Sequence, residues 1–409
     1  MFSNYCSPVR FPWLRIKDDG TPVNRLHCLI YDLQWKRGVK AKLLLKAVLW
    51  PLKAFLMAFH DAFLYGLTVE RDFGISRWKQ WWRMFYLANF YNLSPYVFYK
   101  FGFYKDSHYA RAAAFIQHIE MDAMYQALFS GVDNGIIDDK LRFYARCRER
   151  GIPVLFVEVV FQDDGRIEWP AGAAKSFPLC DLFLKYTNSS LGVGAEAWKY
   201  DAAARTWQRD GISLDERLFI AYCVKKSRAE RKPVLVQRRL VNSPEIVQFT
   251  TGALSTFRVV TYVGPDGKIG ILSAGLKMPV GAMEVDNSRA GGIVAGIELE
   301  TGVLMPASSR SFPGQLMPQH PDTGATISGH RLSCWQEVRV LSLKAQAAFP
   351  EIWSVGWDIA MTDQGLVMIE GNTDYGLLLA QRCITQPLGE TIFPTLCLNI
   401  LEKKSCARS

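Results

Sequence analysis

At 409 residues, 49% hydrophobic and 21% charged, the chain has an ordinary globular composition with room for two or three domains and a large core. Its net charge of +9 arises wholly within residues 1–110, where 16 Lys and Arg face 7 Asp and Glu and where 26 of the 52 aromatics lie, so a neutral body follows a basic, aromatic N-terminal region. Nine scattered cysteines without a CxxC pair suggest neither a zinc site nor a disulfide framework. No basic-then-apolar leader opens the sequence, and no uncharged apolar run approaches the ~20 residues of a bilayer span. A cytoplasmic protein is expected, soluble or peripheral at the inner face of the membrane.

Residues 42–66, KLLLKAVLWPLKAFLMAFHDAFLYG, read as a helix kinked at Pro51. At 100° per residue Lys42, Lys46, Lys53 and His60 fall within an arc of about 40°, and nearly everything else is apolar. The helix can pack into the body with its lysines snorkelling outward, the placement the sequence favours. It can instead lie on a membrane surface, aided by WKRGVK (35–40) and RWKQWWRMFY (77–86), which makes peripheral membrane contact through residues 36–105 the alternative. Nucleic acid is not an expected partner, because LANFYNLSPYVFYKFGFYK (87–105) is too apolar.

Residues 138–161, DDKLRFYARCRERGIPVLFVEVVF, predict a helix capped by Asp138 or Asp139, ended at Gly151 and followed by a β-branched strand. In SFPLCDLFLKYTNSSLGVGAEAWKY (176–200) a short strand delivers Lys185 at its end. A loop with Gly192 and Gly194 follows, and a strand resumes at Trp198. Such glycines let backbone N–H groups face an anion, although a plain Gly-rich hairpin accounts for the stretch equally well. KPVLVQRRL (232–240) is an apolar strand that breaks polar at Gln237. STFRVVTYVGPDGKIGILSAGLKM (255–278) is a hairpin with Arg258 on one strand and Lys277 near the end of the other. A Gly-Gly loop, a short hairpin through ETG, a polar stretch (306–330) with QHPDTG, and the amphipathic helix CWQEVRVLSLKAQAAF (334–349) come next. GETIFPTLCLNILEKK closes the chain as a helix with an irregular start.

Before that last helix, GWDIAMTDQGLVMIEGNTDYG (356–376) alternates as a hairpin about TDQG. Period two sets Asp358 on one strand, with Glu370 and Asn372 on one face of its partner. Three oxygen ligands converging in this way suit magnesium, which takes carboxylate and amide oxygens and leaves room for phosphates. Solvated sheet-edge carboxylates are the other reading of the same pattern.

In their order these pieces resemble the ATP-grasp superfamily, over roughly residues 136–400. DDKLRFYARCRERGIPV is similar to its lysine-bearing helix, DLFLKYTNSSLGVG to its lysine strand and glycine-rich flap, VLVQRRL to its adenine strand, and GWDIA with VMIEGN to its metal hairpin. TFRVVTY, EVDNSRAGGI, QHPDTG, GWDIA and IEGN in that order look most like the sugar-transfer-associated ATP-grasp branch. The resemblance implies an α+β fold, two α+β subdomains sandwiching ATP, with an N-terminal helical, aromatic-rich extension. Expected divisions are 1–110, 111–230 with the lysine helix and flap, 231–400 with the metal hairpin, and a 401–409 tail.

Carried onto this sequence, Lys140 and Lys185 contact ATP phosphates, and the loop with Ser190, Gly192 and Gly194 folds over them. Gln237, Arg238 and Leu240 line the adenine pocket, while Asp358, Glu370 and Asn372 hold Mg2+. Tyr186 stands where a proline is common, Gln237 where a carboxylate is usual, and SVGWD lacks an arginine that some relatives place before the aspartate. Arg258 and Lys277 would supply that charge and act catalytically on the oxyanion. Asp286, Asn287, Arg289 and His320 are expected substrate contacts, although His320 also reads as a solvated turn residue.

The activity implied is an ATP-dependent carboxylate–amine ligase working through an acylphosphate in polysaccharide or glycoconjugate biosynthesis, with small-molecule or carrier-linked carboxylate and amine substrates. Its rivals are an ATP-grasp kinase acting on a sugar or polyol hydroxyl, and a non-catalytic membrane-surface protein with a vestigial nucleotide site.

Overall fold

The computed structural model describes residues 17–37, 40–170, 176–188, 194–281, 292–309, 316–384 and 386–406. Its helices are α1 (Pro22–Arg37), α2 (Lys40–Phe73), α3 (Arg77–Phe90), α4 (Asp106–Ala110), α5 (His118–Leu128), the single turn α6 (Gly135–Asp138), α7 (Lys140–Glu149), α8 (Glu216–Glu230), the single turn α9 (Pro244–Val247), α10 (Trp335–Ala348), α11 (Leu377–Arg382) and α12 (Phe393–Cys406).

Among the described residues the strands form two antiparallel sheets of seven. The first contains β1 (Val159–Phe161), β2 (Ile167–Glu168), β3 (Leu182–Tyr186), β4 (Glu196–Asp201), β5 (Thr206–Arg209), β6 (Ile212–Leu214) and β7 (Val234–Arg238), in the order β2-β1-β7-β3-β4-β5-β6. The second contains β8 (Thr256–Val263), β9 (Ile269–Met278), β10 (Ile293–Gly296), β11 (Ala307–Ser309), β12 (Leu316–Met317), β13 (Ser354–Thr362) and β14 (Gly365–Asn372), in the order β12-β11-β10-β9-β8-β13-β14. The first sheet thus takes in β7, beyond the expected division at residue 230.

α2 and α3 make an antiparallel hairpin. Gly74, at φ +67°, ends α2 in the left-handed region that only glycine enters cheaply. Ser76 then caps α3 by accepting from the Lys79 amide. Trp50 Nε1 donates to the Ala88 carbonyl at 2.9 Å, and Gln80 Nε2 donates to the Gly66 carbonyl at 3.0 Å, so buried polar groups peg the two helices together. α2 runs as one helix through Pro51. It buries Leu43, Trp50, Ala54 and Met57 as expected of packing, yet much of its apolar surface stays exposed.

On the second sheet, alternation sorts the side chains by face. Val355, Trp357 and Ile359 of β13 enter the core that α10 and α12 cover, where Trp357 Nε1 donates to Thr261 Oγ1 at 2.7 Å. Asp358 necessarily turns to the other face. The sheets are stitched together beside this point. Met368 of β14 donates its amide to the Pro153 carbonyl at 2.7 Å and accepts from the Leu155 amide at 3.3 Å, in the segment that leads into β1.

Candidate functional site

Glu370 of β14 sits opposite Asp358 of β13, and Asp358 sits opposite Arg258 of β8. Register partners share a face, so a charged row crosses three strands. Asn372, two residues past Glu370, joins the same face. Lys277 reaches it too, lying two residues beyond Gly275, the register partner of Arg258. Arg258 Nε and Nη2 donate to Asp358 Oδ1 and Oδ2 at 2.6 and 2.8 Å, and Lys277 Nζ donates to Oδ2 at 3.2 Å. All three side chains are largely buried. Burial alone would raise the Asp358 carboxyl, but Arg258 and Lys277 together hold it well below the usual carboxylate range.

Trp357 stands directly before Asp358, and Gly356, one place earlier, has no room for a side chain: a Cβ there would lie 2.4 Å from Tyr375 Cβ and 3.3 Å from Arg258 Cδ. The positive charge arrives from the neighbouring strand instead. Arg258 is anchored further by donating to the Tyr375 carbonyl at 3.3 Å.

As a magnesium cage the trio is uneven. Glu370 and Asn372 are half-buried, mutually hydrogen-bonded at 3.3 Å, and carry the hard oxygens such an ion takes. Asp358 is already neutralised by two cations. Among the described residues no cluster of three His, Cys, Asp or Glu is gathered for a metal. The oxygens of Glu370 and Asn372 therefore have the chemistry that such an ion takes, while Asp358 is committed to its two ion pairs.

Across the cleft, Lys185 of β3 is the register partner of Leu235 in β7, and Phe183 of Gln237, so Lys185 and Gln237 share one face. α7 begins beside them. Asp139 caps it by accepting from the amides of Leu141 and Arg142, and Lys140, its first residue, bonds the Thr187 carbonyl through both its amide and its Nζ, each at 3.3 Å. Burial pushes the Lys185 ammonium down to about 8, opposed by the Glu370 carboxylate and reinforced by Lys140. Lys140 is lowered as well, by burial first, with Glu370, Asp139 and Asp138 opposing. Both lysines thus feel the second sheet's Glu370. Gln237 Nε2 donates to the Leu155 carbonyl at 3.0 Å, while its buried Oε1 has no hydrogen-bond partner. A buried acceptor left open in this way suits a ligand donor.

At the end of the flap loop, Gly194 has φ +75°, and a Cβ on it would meet the Tyr186 ring at 2.2 Å. Tyr186, standing where a proline is common, thus packs its ring directly against the Gly194 backbone. An open cleft of about 630 Å³, whose lining includes none of these residues, is bordered by Lys199, Arg209 and Arg239 from one side and by Thr251, Gly252 and Gly281 from the other, with Asp210 the one acid among them.

Other expected residues stand differently. Alternation turns Arg238 away from Gln237, and its exposed guanidinium pairs with Glu158 at 2.7 Å, so its side chain does not line the nucleotide face. Leu240 lies half-buried just past β7. His320 is buried, not solvated. Its Nδ1 lies 3.3 and 3.4 Å from the amides of Asp322 and Thr323, and its Nε2 lies 3.0 Å from the Pro279 carbonyl. Those contacts use both ring nitrogens to pin a turn against the end of β9, leaving neither for a substrate. Ser190, Gly192, Asp286, Asn287 and Arg289 lie outside the described residues. Tyr375 carries no signal in the sequence, and Asp138, expected there only as an alternative helix cap, instead accepts from Thr373 Oγ1 at 3.4 Å; both belong to the polar run that continues the β14 motif or faces it.

No curated protein matches the sequence. Solved structures that resemble the chain include the ADP complex of N5-carboxyaminoimidazole ribonucleotide synthetase (8% identity, 58% of this chain and 45% of that one, TM-score 0.32). D-alanyl-alanine synthetase A from Vibrio cholerae (12%, 65% and 66%, 0.38) and L-amino acid ligase from Bacillus licheniformis (11%, 64% and 48%, 0.35) are others. The chain spans less than two thirds of the length of each of these three. The profile of the sugar-transfer-associated ATP-grasp family matches residues 122–390, which takes in both sheets from β1 to β14, the lysine helix α7 and the charged hairpin. By that match the chain belongs to the sugar-transfer-associated ATP-grasp family.

Proposed function

We propose that the chain is an ATP-dependent carboxylate–amine ligase serving polysaccharide or glycoconjugate synthesis, on the cytoplasmic side where ATP is found. The observation that carries the reading is the shared electrostatic neighbourhood of Lys140 at the start of α7, Lys185 of the first sheet and Glu370 of the second, beside the open acceptor of Gln237. Two ammonium groups facing one carboxylate suit a polyphosphate that brings its own divalent ion. Membership of an ATP-grasp family supports the same assignment.

Lys140 and Lys185 hold the phosphates, and Gln237 Oε1 accepts from the exocyclic amine of adenine. Magnesium, when held by Glu370 and Asn372 with Asp358 beside them, supplies neutralisation of the charge on the transferred phosphoryl group. A carboxylate oxygen of the substrate attacks the γ-phosphorus and ADP leaves. The amine nitrogen then attacks the acyl carbon, phosphate leaves, and the amine gives up a proton. Arg258 and Lys277 keep the approach of one anion to another from being prohibitive, because they outnumber Asp358 by one positive charge. The basic lining of the outer cleft supports an acidic substrate such as a uronic acid.

ADP release by the purified chain with magnesium, scanned against amino acids and uronic acids, tests the assignment. Release that needs both a carboxylate and an amine is expected. Release that needs only a hydroxyl compound would replace the ligase with a kinase.

A further inference from the structure

The α2–α3 hairpin carries a face that nothing among the described residues covers. Viewed down α2 at about 100° per residue, the side chains packed on the protein, Leu43, Trp50, Ala54 and Asp61 among them, centre on one direction. Leu45, Val48, Leu49, Leu52 and Leu56 turn to the opposite side and are 52–76% exposed. Trp78 and Trp82 of α3 extend this surface and are 61% and 55% exposed, with Trp78 set edge-on to Phe59 and Phe63 of α2. Lys42, Lys46 and Lys53, all exposed, run along the border between the buried and the bare face. A soluble monomer rarely leaves so long an aliphatic strip in water.

We infer that this face docks on an anionic lipid bilayer, with α2 lying in the plane of the interface. Aliphatic side chains in the middle, tryptophans beside them and a lysine row at one edge match the hydrocarbon boundary, the interfacial layer and the headgroup charge. The excess of 16 basic over 7 acidic residues in positions 1–110 supplies charge complementarity on a scale that the neutral body lacks.

Two other occupants fit less well. By length and composition α2 could cross a bilayer. Yet Lys46, Lys53 and the His60–Asp61 pair are spaced along its middle, and the bonds of Trp50 and Gln80 fix one side to α3. Crossing would take those groups into hydrocarbon. A second copy docking antiparallel through the same face would set lysine rows against each other. The inference does not rest on the ligase reading, because vesicle binding is measured without turnover.

The full chain is to be sedimented with vesicles of phosphatidylglycerol and phosphatidylcholine, and with vesicles of phosphatidylcholine alone. Binding to the anionic vesicles is expected, weakened by high salt and unaffected by free inorganic phosphate, with Trp fluorescence quenched by lipids brominated near the headgroup. The exposed double variant V48D/L52D should lose at least about tenfold in partitioning without a change in melting temperature, since neither side chain is packed. The triple variant K42E/K46E/K53E should lose the preference for anionic lipid. Equal binding to both vesicle types, no binding, a dimer in solution that V48D/L52D dissociates, or retention in the bilayer after an alkaline wash would each overturn the inference.

Discussion

Arg258 and Asp358 are register partners on adjacent strands, one hundred residues apart in sequence, and meet through two parallel hydrogen bonds of 2.6 and 2.8 Å. Lys277 closes the same carboxylate from a third strand. The pair is therefore both part of the site and part of the sheet's interior. Arg258→Ala should destabilise the chain by about 3–5 kcal/mol, because it leaves a buried carboxylate short of a partner. R258A/D358A should be milder than the sum of its two single changes. Urea unfolding of the four proteins measures this.

The same clamp gives an acid limit. Asp358 is held below its unfolded value of 3.8, so its contribution is complete above about pH 4 and is lost as pH falls through the folded value. Asp358→Asn should be less stable at neutral pH and should show a shallower loss of stability below pH 4. Melting temperature followed from pH 7 to pH 2 checks the slope.

Lys185 is shifted downward too, but in its case because burial disfavours the charged form. Its ammonium titrates at about 8 in the folded chain against 10.5 unfolded, so keeping it charged weakens the fold below pH 8, and stability rises as pH climbs from about 8 toward 10.5. Phosphate binding needs the charged form. ATP affinity should therefore fall as pH rises through 8, while Lys185→Arg should flatten that fall. Lys185→Met should bind ATP about 10–150-fold more weakly at pH 7, the worth of one charge-assisted hydrogen bond. Calorimetric titration across pH checks all three.

Gly194 and Tyr186 form a second coupled pair. Gly194→Ala meets both a φ of +75° and an aromatic carbon 2.2 Å away, so a loss of about 1–3 kcal/mol is expected. Tyr186→Ala in the same chain should recover the steric share but not the backbone share. Thermal melts of the single and double variants separate the two.

Asp139→Ala removes the cap that accepts from the amides of Leu141 and Arg142, and should lower stability by about 1 kcal/mol. Because Lys140 is the next residue, ATP affinity should fall by more than the stability loss accounts for. Tight ATP binding in a destabilised D139A would separate the cap from the position of the lysine.

The hairpin at 356–376 was legible because alternation and a TDQG turn are local signals, and Lys185 was legible for the same reason. The partner of Asp358 was not. Pairing of β8 with β13 is set by burial of Val259 and Trp357 in a common core, which no short window of sequence records. The three- and two-residue strands β11 and β12 fell within a stretch read as merely polar, since such lengths carry no period. His320 looked solvated because QHPDTG is a turn sequence, and only tertiary packing shows that the turn folds inward. The exposed face of α2 was half legible. Periodicity reveals an apolar side but says nothing of whether protein or lipid covers it.

The β8–β9 hairpin has a consequence for the order of synthesis. Arg258 and Lys277 leave the ribosome as two like charges held on one face, and Asp358 emerges only after roughly eighty further residues. Until it arrives, the growing sheet carries an unbalanced doublet, and the nascent chain gains its final electrostatic closure only when the penultimate strand is delivered.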